Sequence, residues 1–370
     1  MSFFERFGAL RRLDWSLLAA TILLAAFGLA ALYSVTINVD QPDYGRLIRQ
    51  AAFALFGIVC LVLLAASDYR IFKTYSWVLY GFGVVLLIVL YIFSEPIRGT
   101  RGWLVFFGQT FQPVEIVRII LVIALSRLLA DRIGRWQPLK TIFLSAALAA
   151  IYVALVLIQP EFGYAVIMLM VWLGLLLFTR LPRWQIVLII LGIILIGIFS
   201  WFLILRDYQK DRILTFVGVN QDQQGARYNV TQSVVAIGSG RWFGRGLGLG
   251  PQSQLNFLPE QSTDFIFAVI AEELGYLGSM LVLGTFALLF YRIYRAIRLS
   301  RDVFTTLLLT GFLYLLFIQM FINIGMNLGL LPVTGVPLPF VSYGGSALVS
   351  NLIIIGIIES IIIRQPLTRP

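Results

Sequence analysis

The chain is a succession of long apolar runs separated by short polar or charged connections, starting at Trp15 and recurring almost to the C-terminus. Each run approaches the ~20 residues that an α-helix needs to cross a bilayer core. The pattern predicts ten spans, over 15–35, 47–66, 75–93, 113–130, 141–158, 163–179, 185–205, 265–290, 303–329 and 345–363. Their connections alternate in charge. One set carries Arg6, Arg11 and Arg12; Arg70 and Lys73; Arg127, Arg132, Arg135 and Lys140; Arg180 and Arg183; Arg292, Arg295, Arg298 and Arg301; and Arg364 and Arg369. The short loops on the other side hold only Arg46, Arg49, Arg98 and Arg101. Lys and Arg accumulate on the cytoplasmic side of membrane proteins, so both termini are expected in the cytoplasm.

The predicted fold class is therefore all-α, a single polytopic membrane domain over 1–370. Composition agrees: 59% of the residues are hydrophobic and only 12% charged, which excludes an ordinary water-soluble domain. The first run follows Arg11, Arg12 and Asp14, is long enough to span and has no clear small-residue cleavage site, so it reads as a retained helix. The net charge of +10 follows from the topology signal and attraction to anionic headgroups, and does not point to nucleic acid. The lone Cys60 excludes an intrachain disulfide, and the absence of His leaves carboxylates, Arg, Lys and hydroxyls for acid–base work.

Three outer connections stand apart. "SEPIRGTRGWLVFFGQTFQP" carries two Arg and several aromatics, 206–263 far exceeds a usual helix–helix connection, and "LPVTGVPLPFVSYGG" has too much Pro and Gly to be helical throughout. Within the long loop, glycines at 238, 240, 244, 246, 248 and 250 lack the strand, soluble helix and Gly-Lys-Ser/Thr signature of a nucleotide site, and read as a loop folded over the membrane surface.

Asp264 opens the eighth span and has two open readings, a helix N-cap or a carboxylate within reach of a soluble headgroup. Glu272 and Glu273, eight and nine residues on, are expected about 12–13 Å deeper if the helix continues, as buried polar supports. Glu115 and Arg118, three apart on the fourth span, are expected to pair, with Arg118 the better candidate for an anionic ligand. Arg98 and Arg101 form a candidate phosphate site, since the guanidinium fork matches phosphate oxygens. Glu161 and Glu359 read as structural acids. No Ser-His-Asp set or metal-binding cluster can be assembled.

The stretches "FQPVEIVR", "QPEFGYA", "QSVVAIGSGRWFGRGLG", "GPQSQLNFLPEQSTDFIFAVIAEELG" and "GLLPVTGVPLPFVSYGGSA" together resemble the SEDS (shape, elongation, division and sporulation) family over essentially the whole chain. "QSQLNFLPE" and "GVPLPFVSYGG" are similar to its rod-shape, RodA-like branch. The resemblance implies a peptidoglycan glycosyltransferase that polymerises lipid II outside the bacterial cytoplasmic membrane during cell elongation. It also implies a class B penicillin-binding protein and other elongation-complex proteins as partners. On this pattern Asp264 matches the family's essential aspartate and acts as base; Arg98, Arg101 and Arg118, with Glu115 beside it, serve the diphosphate or headgroup; Glu272 and Glu273 support the span. No cofactor is certain, although a divalent cation, Mg or Mn, is compatible with a diphosphate leaving group. The departures are Ser262 for a frequent His, Gly102 for a frequent Arg before the Trp, and Glu161 for the usual Asp. A lipid II flippase and a non-catalytic scaffold for a penicillin-binding protein are the rival readings.

Overall fold

The computed structural model describes residues 12–37, 44–94, 102–106, 109–133, 138–179, 181–203, 207–218, 226–255, 257–258 and 260–364. Ten long helices follow the ten apolar runs. They are α1 (Trp15–Ile37), α2 (Gly45–Ala66), α4 (Ser76–Phe93), α5 (Val114–Ile133), α6 (Pro138–Ile158), α7 (Phe162–Phe178), α8 (Arg183–Leu203), α12 (Ile266–Leu299), α13 (Val303–Asn327) and α14 (Gly345–Arg364). Eight are long and apolar enough to cross a membrane by themselves. The other two fall short for definite reasons. Helix α7 has 17 residues, and α5 carries Glu115, Arg118, Arg127, Asp131 and Arg132 among its 20. The chain is a multi-pass membrane protein.

Short elements fill the connections: α3 (Arg70–Thr74), α9 (Asp207–Val217), α10 (Ala226–Ser239), α11 (Pro251–Gln254) and a two-stranded hairpin, β1 (Leu104–Phe106) with β2 (Gln109–Phe111). The hairpin is antiparallel, with Val105 opposite Thr110. It is the one exception to an all-α architecture among the described residues. The long connection after α8 is thus largely helical, and α10 packs along α12 through Ala236, Phe265, Ala268 and Val269.

Helices α5, α13 and α14 are the most enclosed, whereas α8 is mostly turned outward. Small residues permit the closest approaches. Gly57 of α2 lies against Leu352 of α14, and a Cβ on Gly356 would sit 2.8 Å from the Leu61 carbonyl oxygen. At one end of the bundle the Asp14 carboxylate accepts from the backbone N–H of Ser16 and Leu17, capping α1. Its other oxygen pairs with Arg292 of α12, and its N–H donates to Glu359 of α14 at 3.0 Å. That cluster fixes one end of three helices, and Glu359, expected as a structural acid, lies in it.

Candidate functional site

Asp264 sits in the turn that enters α12, half-buried. The cap position of α12 belongs to Phe265, with no side-chain cap bond there, so the capping role open from sequence is not the one Asp264 occupies. Its backbone is held from below: Asn323 and Asn327 of α13 each donate Nδ2 to the Asp264 carbonyl, at 3.0 and 2.9 Å. Asn323 also donates to the carbonyl of Val336, which brings the Pro-rich connection between α13 and α14 under the carboxylate. There Gly335, with φ +72, is so close that a Cβ would lie 3.7 Å from Asp264 Oδ2. The same connection is pinned by Tyr343 N–H to the Ser262 carbonyl at 2.9 Å and by the Ser342 hydroxyl to that of Thr263. Gln50 of α2 donates to Ser342 O and accepts from Gly344 N–H. One turn away, Arg46 and Arg49 are exposed.

A buried polar network leads away from this point. Gln319, four residues before Asn323 on α13, donates to the Pro337 carbonyl at 3.0 Å and accepts from Arg118. Arg118 also donates to Asn351 of α14 at 2.7 Å and forms an ion pair with Glu115. Tyr164 of α7 donates to Glu115, and Gln112 links Tyr164 to Glu161, whose Oε1 accepts from Gln112 Nε2 at 2.7 Å. Arg118 is 1% exposed and Glu115 0%. The expected pair is present, yet both groups are enclosed and face each other and the amides. Glu161 stands between α6 and α7, where burial, partly offset by the Gln112 hydrogen bond and reinforced by the Glu115 carboxylate, pushes its carboxyl up to about 8.

Glu272 and Glu273 are both buried, 0% and 1% exposed. Glu273 lies 19 residues before Arg292, about 28 Å along α12, and accepts from the hydroxyl of Ser34, 20 residues and about 30 Å beyond Asp14 on α1. The two acids are therefore at the end of the α1–α12 pair opposite the Asp14–Arg292 cluster. Just beyond them α12 is broken at Gly275, with φ 68 and ψ −162. Residues 266–274 do not continue the direction of 276–299.

The break is mended by the glycine-rich segment. In an unbroken helix the N–H groups of Tyr276 and Leu277 would bond to the carbonyls of Glu272 and Glu273. Here Tyr276 N–H donates to Arg241 O (2.8 Å) and Leu277 N–H to Trp242 O (3.1 Å), while Glu272 O accepts from Arg245 N–H and Glu273 O from Gly246 N–H, both at 3.0 Å. All four freed groups are satisfied, as backbone at this depth requires. The carboxylates add to the hold. Glu272 accepts from the N–H groups of Gln252 and Ser253, at the start of α11, and Glu273 from Gly248 N–H. Glycines are needed because a Cβ on Gly244 would overlap the Glu273 carbonyl, and one on Gly250 would sit 2.6 Å from Glu272 Cδ.

A family model described as cell cycle protein, FtsW/RodA/SpoVE, matches residues 14–365. The chain belongs to this SEDS family. Among its SEDS relatives, the peptidoglycan glycosyltransferase MrdB of Escherichia coli K12 is 36% identical over 343 residues, covering 92% of this chain and 91% of that one. A probable peptidoglycan glycosyltransferase FtsW of Nitrosomonas europaea is 34% identical over 363 residues, covering 94% and 92%. Among solved structures, a chain from a peptidoglycan synthase complex that coordinates polymerization and crosslinking superposes with TM-score 0.79 at 27% identity, over 95% of this chain and 97% of that one. The rod shape determining protein RodA of Thermus thermophilus gives 0.70 at 27% identity, over 95% and 96%.

Two departures from the SEDS pattern touch each other. A Cβ on Gly102 would overlap Glu161 Oε1, so the longer acid occupies the room that a side chain at 102 would need. Of the site residues expected from sequence, Asp264, Glu115, Arg118, Glu272 and Glu273 fall in three places joined by α12 and α13. Arg98 and Arg101 lie outside the described residues. Sequence reasoning missed Gln319, Asn323 and Asn327, all 0% exposed. Their signal was present, three amides spaced by four on one face of an apolar span.

Proposed function

We propose that this chain is a peptidoglycan glycosyltransferase that polymerises lipid II at the outer face of the bacterial cytoplasmic membrane, with Asp264 as its general base. The observation that carries the reading is the presentation of Asp264. A half-buried carboxylate is locked by its own backbone onto two buried amides, with Gly335 beside it, inside a family whose relatives are named for this reaction. In the reaction a sugar hydroxyl of one glycan attacks the anomeric carbon of the other. The new C–O bond forms as the bond to phosphate breaks, the lipid diphosphate leaves with that electron pair, and Asp264 takes the hydroxyl proton. Attack opposite the leaving group inverts an α-linked donor into a β-1,4-linked glycan.

Charge accumulates on the departing diphosphate, and cations aimed at it lower the barrier. Arg98 and Arg101 are assigned that role on the charge pattern and on the match of the guanidinium fork to phosphate oxygens. Glu115 and Arg118, enclosed as they are, shape the polar wall through Gln319 and Asn351 that supports the headgroup site. Among the described residues no group of three or more His, Cys, Asp or Glu side chains is arranged to hold a metal ion. Both termini lie in the cytoplasm, as the charge pattern supports. The partner is a class B penicillin-binding protein, a reading supported by the related chain solved within a synthase complex. Incubation of the purified protein with labelled lipid II tests the reading: glycan ladders are expected. Intact lipid II, translocated or not, would return the flippase or scaffold reading.

A further inference from the structure

The segment Arg241–Leu249 has a second face that the glycosyltransferase reading does not use. From 244 to 250 every even position is glycine: Gly244 and Gly250 lie against the Glu273 backbone and the Glu272 carboxylate, and Gly246 and Gly248 donate their N–H groups to Glu273. The odd positions carry Arg241, Phe243, Arg245, Leu247 and Leu249, all turned outward. Phe243 is 81% exposed, Leu249 68%, Trp242 65% and Leu247 57%. Gly244, Gly246 and Gly248 all have positive φ, so the segment is a succession of turns whose glycines permit close backbone contact with α12 while its large apolar and basic side chains stay exposed.

Three further observations say what covers the outer face. Its height is fixed by Glu273 and Ser34 at the outer end of α1, with Trp242 O bonded to Leu277, four residues inward on α12. Its neighbour is the outward side of α12: the Trp242 ring meets the Tyr276 ring edge-on at 5.1 Å, and Tyr276, Leu277 and Leu281 are exposed along the same side of a membrane-spanning helix. Its chemistry is that of a membrane interface, where Trp sits at headgroup level and Arg extends its guanidinium to phosphate while its stem lies in the apolar layer. An apolar patch of this size left in water would be unfavourable.

We propose that residues 241–249 are an interfacial anchor that seats Trp242, Phe243, Leu247 and Leu249 in the outer leaflet, with Arg241 and Arg245 at the phosphates of phospholipid headgroups. The anchor is stapled through Glu272 and Glu273 to α12 and runs on through α11 to Asp264. It therefore sets the height of that carboxylate against the leaflet. The seating itself does not depend on what Asp264 does.

Spin labels test it directly. Phe243→Cys, Leu247→Cys and Leu249→Cys, each in a Cys60→Ala background, are placed in nanodiscs of phosphatidylcholine and phosphatidylglycerol. Leu281→Cys serves as the lipid reference and Glu260→Cys as the aqueous one. Collision with oxygen relative to a water-soluble nickel chelate is expected to match Leu281 at the three loop sites and to exceed Glu260 clearly. Values at the Glu260 level would overturn the proposal. So would shielding that appears only when a single-span partner is added, which would give the face to protein. Should a label disturb the loop, lipids brominated near the headgroup provide a second reading. They are expected to quench the unlabelled protein more than its Trp242→Phe variant; equal fractional quenching would overturn the anchor.

Discussion

Replacing Gly275 by alanine probes the junction between the two parts of the broken helix α12. At φ 68 and ψ −162 the residue occupies backbone space that is essentially reserved for glycine, and forcing another residue there costs about 1–3 kcal/mol. A Cβ would also collide with the backbone of Gly244 and Phe243. The chain has one escape, to close α12 into a continuous helix. That recovers the two intrahelical bonds and about 1 kcal/mol of helix propensity. It forfeits the four bonds to the glycine segment, each worth about 0.5–1.5 kcal/mol net, and the seats of Glu272 and Glu273. Either route destabilises the loop by about 1–3 kcal/mol on these values. A lowered melting temperature in detergent is expected, with faster tryptic cleavage after Arg241 and Arg245. Gly284→Ala is the control, because that glycine is in a regular stretch of α12 with nothing within 4 Å of an added Cβ, and it should leave both readouts unchanged. If Gly275→Ala melted and was cleaved like Gly284→Ala, the account of the broken helix would be refuted.

Other expectations follow from the buried polar groups. Glu115→Gln strands the Arg118 guanidinium without its counter-charge and should cost about 3–5 kcal/mol; thermal denaturation should show Glu115→Gln with Arg118→Met to be more stable than Glu115→Gln alone. Glu161 is buried with its carboxyl raised to about 8, so between its ordinary value of 4.5 and 8 the folded form holds a proton that the unfolded form has lost. Stability should then fall as pH rises through that window, and Glu161→Gln should flatten the fall in a melting-temperature series. Arg98→Ala with Arg101→Ala should weaken use of labelled lipid II more than it lowers the melting temperature, because the proposed role of both is contact with the phosphates; unchanged kinetics would remove both from the site.

Much of this architecture was legible in the sequence because a bilayer imposes one length and one polarity on every crossing segment. All ten apolar runs became helices, including α5, whose acids and bases dilute its hydropathy but pair with one another. The Glu115–Arg118 pair was readable from spacing alone. The break in α12 was not, because a glycine such as Gly275 inside an apolar run looks the same whether helical or broken. The bonds that stabilise the break come from 241–246, some thirty residues earlier, and no local pattern announces them. Helix α10 was hidden for a related reason. "ARYNVTQSVVAIGS" is too polar to read as a span, and its apolar stripe acquires meaning only against Phe265 and Val269.

Polymerisation of labelled lipid II by purified Asp264→Asn protein, with its melting temperature taken on the same preparation, tests the central claim most directly. An amide matches the carboxylate in shape and leaves the backbone bonds to Asn323 and Asn327 intact, but it cannot accept the hydroxyl proton. Loss of general-base assistance typically costs about 10² to 10⁴ in rate. Glycan synthesis is therefore expected to fall to background at an unchanged melting temperature. Wild-type polymerisation by Asp264→Asn would contradict the assignment of Asp264 as the base.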